Sequence, residues 1–256
     1  MTDRRRRALV QITAASLLLG AASAQAWTWS FGSGERVQGS GEIVSETRTP
    51  GSFGAIALSG HFKVLVRQSG NEAVELKADK NLLPLIETRI VDGSKGRVLE
   101  VGIKRGYSVR GTGTPTLTID VKALRALALS GSGDVKIESL KSEQLDASVA
   151  GSGDMLLMGL EVPRVGIKVS GSGDVQASGR AESLAIAVAG SGDVKAADLQ
   201  ADEVKVSVAG SGDAQVHALK QLKVSVAGSG DVRYKGSPHI ESSVAGSGTV
   251  KRLATP

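Results

Sequence analysis

The residues whose types and spacing could do chemistry are six aspartates in the second half of the chain. Each one closes a Gly-Ser-Gly-Asp tetrad, and the tetrads recur every 18 to 20 residues. The six are Asp134, Asp154, Asp174, Asp193, Asp213 and Asp231. If the tetrads stack in register, neighbouring carboxylates lie about 4.8 Å apart. Such a column is a candidate site for a hard cation such as Ca²⁺, which prefers oxygen ligands.

The tetrad also has a purely structural interpretation, which the sequence favours. Glycine reaches positive φ without steric penalty, and aspartate bonds to the backbone just beyond it, so both residue types suit a tight corner. Basic neighbours such as Lys136, Lys195 and Arg233 could relieve the repulsion between stacked carboxylates without a metal. We therefore expect no resident cofactor and keep the six aspartates as candidate Ca²⁺ ligands.

Paired carboxylates also serve glycosidases, which place two of them about 5 to 10 Å apart in different environments. Nothing in the repeats distinguishes one aspartate from the next, and Tyr234 is the only aromatic residue there that could stack on a sugar. His61, His217 and His239 are scattered, and no nucleotide-binding loop, nucleophile elbow or zinc-binding histidine pair is present. We predict no catalytic residues and no enzyme, with a carbohydrate-active enzyme acting on polysaccharide as the alternative.

The elements that position these aspartates are short strands that repeat with the tetrads from about residue 129. Apolar residues alternate with polar ones in each repeat; in one they are Val194, Ala196, Leu199, Val204, Val206 and Val208. Stacking repeats in parallel buries a continuous apolar column, and the connections are too short for helices. A repeat of 18–20 residues closes a coil of three short faces, and parallel crossovers are right-handed. The sequence predicts an all-β fold, a right-handed parallel β-helix (β-solenoid) of about seven 18–20-residue rungs.

The segment before the repeats also alternates as strands do. We predict strands from Phe53 onward and over residues 73–78, 97–104 and 116–121, with a short helical turn before Pro84. Leu58-Ser59-Gly60 matches Leu129-Ser130-Gly131, which places the first rung at residue 58.

The amino terminus has the three parts of a secretory signal peptide over residues 1–26. Arg4–Arg7 supply a positive charge, an apolar stretch follows from Ala8, and Ala24-Gln25-Ala26 fits the cleavage pattern. The general and the twin-arginine export routes both stay open. Residues 27–49 are rich in Gly, Ser and charge and predict a linker, and residues 50–256 the solenoid domain. Trp27–Phe31 could dock this arm onto a partner or a solenoid end, or belong to a disordered tail.

Composition excludes several functional classes. The 27 basic and 25 acidic side chains after residue 26 nearly cancel, and no basic face with aromatics predicts nucleic-acid binding. Cysteine is absent, which excludes disulfides, thiol catalysis and a bacterial lipoprotein anchor. No segment of the mature chain is apolar enough to predict a transmembrane helix.

The segments FGAIALSGHFKVLV (53–66) and NLLPLIETRIVDG (81–93), followed by repeated GSGDV units, resemble the bacterial family described as "putative auto-transporter adhesin, head GIN domain". The likeness covers about residues 50–254. It implies a right-handed parallel β-helix in exported, often envelope-attached proteins, and it brings no catalytic residues. No translocating barrel follows the domain, so we do not expect the chain to export itself.

We therefore expect a non-catalytic exported binding or scaffold module of the cell envelope, an adhesin, in the periplasm or at the cell surface. An envelope protein linked to stress and without a ligand is a further possibility. Flat polar faces suit a glycan or protein partner, and the exposed strand edges at the solenoid ends favour self-association.

Overall fold

The computed structural model describes residues 34–94 and 96–253. The predicted signal peptide and residues 27–31 lie outside the described residues. The strands before the repeats are β1 (Glu35–Gln38), β2 (Ile43–Arg48), β3 (Ala55–Gly60), β4 (Lys63–Gln68), β5 (Ala73–Asp79), β6 (Ile86–Gly93), β7 (Gly96–Ile103), β8 (Tyr107–Arg110) and β9 (Thr116–Val121). A 3₁₀ turn covers Leu83–Leu85. None of the helical structure described is long and apolar enough to cross a membrane.

The repeat region is built from further short strands and three long ones. They are β10 (Ala126–Gly131), β11 (Asp134–Ile137), β12 (Leu140–Lys141), β13 (Gln144–Gly151), β14 (Asp154–Glu161), β15 (Arg164–Gly171), β16 (Val175–Gly190), β17 (Val194–Gly210), β18 (Ala214–Gly228), β19 (Val232–Lys235), β20 (His239–Gly246) and β21 (Val250–Arg252). The long strands β16, β17 and β18 run through more than one side of the coil. Strand β16 pairs at its start with β14 and at its end with β15, and β18 pairs at its start with β19 and at its end with β20. Strand β17 lies between β16 and β18 along its length.

Two sides of the coil are long parallel stacks, here called face 1 and face 2. Face 1 lies before each glycine corner and stacks β7, β3, β10, β13, β15, the second halves of β16, β17 and β18, and β20. Face 2 follows the corner and stacks β9, β4, β11, β14, the first halves of β16, β17 and β18, and then β19 and β21. The predicted parallel β-solenoid is confirmed.

The register repeats at every corner. The first glycines of the tetrads pair in sequence from Gly131 to Gly246, so the seven corners enclose about six turns. Gly60 pairs with Gly131 and Ser59 with Ser130. The rung formed by β3 and β4 therefore has its corner where the sequence indicated, although residues 69–125 separate it in the chain from the next rung and supply one further rung below it.

The core is a column of aliphatic side chains. The six apolar residues named above for one repeat are all buried, at 0 to 2% exposure. They face inward because strand side chains alternate between the two surfaces, and the next rung covers each of them. Complete burial of a Val or Leu side chain contributes about 1.5 to 3 kcal/mol, so stacking is the main source of stability.

Residues 69–125 cover the amino-terminal end of the solenoid. Strands β7 and β9 add a rung below β3 and β4, while β6 pairs antiparallel with β7 and β5 antiparallel with β9. The predicted strands over 73–78, 97–104 and 116–121 are confirmed. The predicted turn is the 3₁₀ turn, which contains Pro84 instead of preceding it.

The linker prediction for residues 27–49 is wrong over residues 35–48. Strand β1 pairs parallel with β8, and β2 pairs antiparallel with β5. The turn between β1 and β2 is held by buried Asp79, whose carboxylate accepts hydrogen bonds from the N–H groups of Gly41 (2.7 Å) and Thr112 (3.0 Å). Composition indicated a linker because most residues of the two strands are exposed and polar. The strands with which they pair lie far away in the sequence, so no local pattern indicated the pairing.

Candidate functional site

The corner admits only glycine at two of its positions. Gly151, the first residue of its tetrad, has φ of +124°, and a Cβ there would lie 2.5 Å from the carbonyl oxygen of Gly131 in the rung below. At Gly153, the third residue, a Cβ would collide with the carbonyl oxygen of Gly133. Backbone packed this closely against backbone cannot move aside, so the tetrad's glycines follow from the stacking of the rungs.

The aspartates form a hydrogen-bonded column along the start of face 2, here called the aspartate column. The Oδ1 atom of Asp154 accepts the backbone N–H of Asp174 at 2.9 Å, and Asp174 accepts that of Asp193 at 2.9 Å. The pattern continues to Asp213 (2.9 Å) and Asp231 (2.8 Å). Each carboxylate in this series therefore binds the backbone of the next rung.

The two ends of the column differ from its middle. At the last corner Thr249 replaces the aspartate, and its N–H (3.0 Å) and hydroxyl (2.7 Å) both donate to Asp231. At the first, the N–H of Asp134 donates to the carbonyl of Phe62 (2.8 Å), and that of Asp154 donates to the carbonyl of Gly133 (3.1 Å). The column of carboxylate bonds thus begins one rung later than the repeated sequence.

Basic side chains approach the column from its outer side. Lys195 lies 3.3 Å from Asp174, and Arg233 lies 3.5 Å from Asp213 and 3.3 Å from Asp231. Of the basic neighbours considered from the sequence, Lys136 instead pairs with Glu138 at 2.8 Å. In the described ranges no group of three or more His, Asp or Glu side chains is placed to hold a metal ion.

A second column of side chains runs beside the aspartates on face 2. Its members occupy one register position in successive rungs and are mostly long and polar: Leu65, Lys136, Leu156, Gln176, Lys195, Gln215, Arg233 and Lys251. We call it the lysine–glutamine column. Between β9 and β17 the two columns line an open groove of about 600 Å³.

Two carboxylates of this face, Glu138 and Asp231, are stabilised in their ionised form. The pKa of Asp231 is lowered, chiefly by the hydrogen bond from the Thr249 hydroxyl, and the charges of Arg233 and Lys251 act in the same direction. The pKa of Glu138 is lowered by its hydrogen bond and charge interaction with Lys136. Across the described chain, every carboxyl whose pKa is displaced is displaced downward: Glu46, Glu72, Asp79, Glu138 and Asp231.

The three histidines do not form one site. His61 lies at the first corner, where Nδ1 is 2.9 Å from the carbonyl of Ser132 and Nε2 is 3.2 Å from the hydroxyl of Thr114. His217 lies on β18 and His239 on β20, two residues that are not register partners. These contacts make His61 a link between the corner that contains Ser132 and the loop that contains Thr114.

A second groove, of about 530 Å³, lies near residues 51–54 and was not indicated by the sequence. Arg97, Arg125 and Lys141 line it together with Ser52 and Phe53. The guanidinium of Arg125 lies over Gly54 and Gly96, where an added Cβ would be 2.9 and 3.1 Å from it. These basic residues stand on different segments that only the tertiary structure brings together, so no sequence motif could have found them.

Fold and face together define the class of this protein: a repeat protein of the parallel β-solenoid type with long columns of polar side chains on one face. The chain belongs to the family described as "Putative auto-transporter adhesin, head GIN domain", which matches residues 52–238. The resemblance stated from the sequence is therefore confirmed. The family's name indicates an exported or surface protein.

Solved structures share the fold over most of the chain. A putative adhesin from Bacteroides fragilis NCTC 9343 is 28% identical with a TM-score of 0.78, covering 85% of this chain and 100% of that one. A putative adhesin from Parabacteroides distasonis ATCC 8503 is 26% identical with a TM-score of 0.69, covering 86% and 100%. A putative lipid binding protein from the same organism, 24% identical with a TM-score of 0.73 and covering 86% and 100%, is similar in fold alone. No curated protein sequence matches the chain.

Proposed function

We propose that this protein is a non-catalytic, exported binding module of the bacterial cell envelope that holds an extended glycan or protein along face 2. The observation that carries the proposal is the pair of side-chain columns: one presents a carboxylate on each rung from Asp134 to Asp231, and the other presents a Lys, Gln or Arg on most rungs. Rungs are about 4.8 Å apart, a spacing comparable with the advance of one sugar unit in an extended glycan. A ligand with its own repeat could therefore make the same contact at several rungs.

The environment of the carboxylates supports binding over hydrolysis. A glycosidase keeps one carboxyl protonated by raising its pKa while the other stays ionised. Here Asp154, Asp174, Asp193 and Asp213 make the same backbone hydrogen bond. The pKa values of Glu138 and Asp231 are lowered, which favours their ionised form, so neither of these two is a candidate proton donor.

The names of the family and of two solved structures support the same proposal, because they describe adhesins. An adhesin acts at the cell surface, whereas a periplasmic scaffold would meet peptidoglycan and envelope proteins. Protease digestion of the tagged protein on intact and on lysed cells separates the two. Digestion on intact cells supports the adhesin, and protection until lysis supports the periplasmic scaffold.

Binding is tested with envelope polysaccharides as probes: peptidoglycan fragments, capsular polysaccharide and lipopolysaccharide. The informative variant is Lys195→Ala in the lysine–glutamine column, which lines the groove. Its matched control is Lys205→Ala, an exposed lysine on the face 1 part of the same strand β17. We expect Lys195→Ala to weaken binding about tenfold, equivalent to about 1.4 kcal/mol, and the control to bind as wild type.

Two results would count against the proposal. Equal losses in the two variants would place the ligand away from face 2. Release of reducing ends from any of the polysaccharides, abolished by Asp→Asn at one rung and not at the others, would establish the carbohydrate-active enzyme instead.

A further inference from the structure

The last strand of face 1 leaves the core of the solenoid open. Strand β20 pairs with β18 and with no other strand of the described chain, and all eight of its residues are exposed. Ile240 and Val244 stand at inward positions yet are 36% and 41% exposed. Their register partners one rung earlier, Leu222 and Val226, are 0% and 2% exposed. The additional exposed surface of Ile240 and Val244 is the area that one further strand would cover.

The backbone of β20 is equally incomplete. In a parallel stack alternate residues direct N–H and C=O towards opposite neighbours, so half of these groups in β20 point away from β18. Natural proteins block such edges with lysine, proline or a bulge, and β20 has none of these within its bounds. Its single acidic residue, Glu241, lies 3.0 Å from Lys223. The edge is therefore able to accept another strand.

We propose that a second copy of this chain docks on β20, with the two strands antiparallel about a two-fold axis at Ser242. This register places Ile240 opposite Val244 of the second copy, and Val244 opposite its Ile240. Glu241 then faces Ser243, so no like charges meet. A two-fold axis at Glu241 would instead place two glutamates directly opposite, which is destabilising.

A second copy is the expected partner because the edge of β20 is complementary to itself. A closed two-fold contact uses the same patch on both copies, and β20 carries its two exposed apolar residues symmetrically about Ser242. The other end of the solenoid is covered by the antiparallel strands β5 and β6, so head-to-tail fibres are not expected. The contact is short, below the size typical of permanent dimers, and the dimer dissociates on dilution. It does not depend on the proposed ligand-binding function.

Cross-linking tests the register directly, because the chain has no cysteine of its own. Directly opposed antiparallel residues have Cα atoms about 4.5 to 5.5 Å apart, within the range that a disulfide spans. Ser242→Cys therefore forms a disulfide-linked dimer on mild oxidation. The control is Ala245→Cys. In the proposed register residue 245 lies opposite residue 239 of the second copy, so the two introduced cysteines are six residues, or about 20 Å, apart. This variant should give only the disulfides that form by random collision.

Sedimentation velocity of the full chain from about 1 μM to about 1 mM gives the second measurement. We expect a concentration-dependent dimer that is lost in Val244→Lys, kept in Ala245→Lys and strengthened in Ser242→Val, which restores the valine found at Val224. A monomer at every concentration, or a dimer that survives Val244→Lys and fails to cross-link through residue 242, overturns the proposal. So does a monomer that dimerises only when residues 27–33 are deleted, because the arm would then be the occupant.

Discussion

Substitutions of Asp193, in the middle of the aspartate column, distinguish two properties of the carboxylate: its capacity to accept a hydrogen bond from the next rung and its negative charge. Its Oδ1 accepts the backbone N–H of Asp213, and its own N–H donates to Asp174, both at 2.9 Å. The change Asp193→Ala removes the acceptor for the next rung. The change Asp193→Asn keeps an acceptor oxygen and removes only the charge.

The expected free energies follow from these two contacts. A hydrogen bond to a charged acceptor contributes about 1.5 to 3 kcal/mol net, and a neutral one about 0.5 to 1.5 kcal/mol. Removing the charge also relieves repulsion from the two neighbouring carboxylates, about 0.9 kcal/mol each at 4.8 Å in water. We therefore expect Asp193→Ala to destabilise the protein by about 1 kcal/mol and Asp193→Asn to stay within about 1 kcal/mol of wild type.

Thermal unfolding followed by circular dichroism measures the difference. For a chain of this size 1 kcal/mol moves Tm by about 2 to 4 °C, so Asp193→Asn melts a few degrees above Asp193→Ala. Asp198→Ala is the control, since that carboxylate is 72% exposed and pairs with Lys235 at the surface; we expect a change under about 1 kcal/mol.

The same scans with Ca²⁺ and with EDTA separate the structural role from a cation site. The structural role predicts the same Tm for wild type in both. Equal losses in the Ala and Asn variants, together with a wild-type Tm that falls in EDTA, would refute the reasoning and make the charge, as a cation ligand, the essential property.

Three further perturbations test the fold and its cap. Gly151→Ala places a Cβ against the backbone of the rung below and should destabilise the protein by more than about 3 kcal/mol. Its control is Gly113→Ala, which has open space around it and should stay within about 0.5 kcal/mol of wild type. Urea unfolding measures both free energies. Leu145→Ala, at 0% exposure, should lose about 2 to 5 kcal/mol in the same assay, and Leu219→Ala, at 43% exposure, under about 1 kcal/mol. The pKa of Asp79 is lowered, because hydrogen bonds from Thr112 and Gly41 outweigh the opposing effect of burial; its contribution is present above the unfolded pKa of about 4 and disappears as the pH falls through the lower folded value. The Tm of Asp79→Asn should therefore be below that of wild type at pH 7 and approach it below about pH 4; a constant difference in Tm would contradict the assignment.

The repeats were predictable because a parallel stack repeats the same local environment. From the second tetrad onward, each glycine corner meets a Gly-Ser-Gly-Asp corner below it, so the constraint at Gly151 is repeated at Gly171 and Gly190. Rung length and the buried residues of the repeat from Val194 to Val208 could be derived from spacing, and the alignment of Gly60 with Gly131 from the shared Leu-Ser-Gly sequence. The apolar pattern fails at Leu219, which is 43% exposed. The carboxylate-to-backbone bonds could not, since spacing places the aspartates together without saying which donor each one meets.

The sequence by itself determined the solenoid, its period and the column of aspartates, because these depend on a pattern that recurs within about 20 residues. Only the tertiary structure decided how β1 and β2 pair, that Asp79 holds their turn, that Arg97 and Arg125 share a groove, and that β20 ends the core uncovered. Each of these depends on contacts between segments far apart in the chain or, for β20, on which strands of the described residues pair with it. A local pattern of polar and apolar residues does not specify which distant strand becomes the neighbour, since many strands offer the same edge.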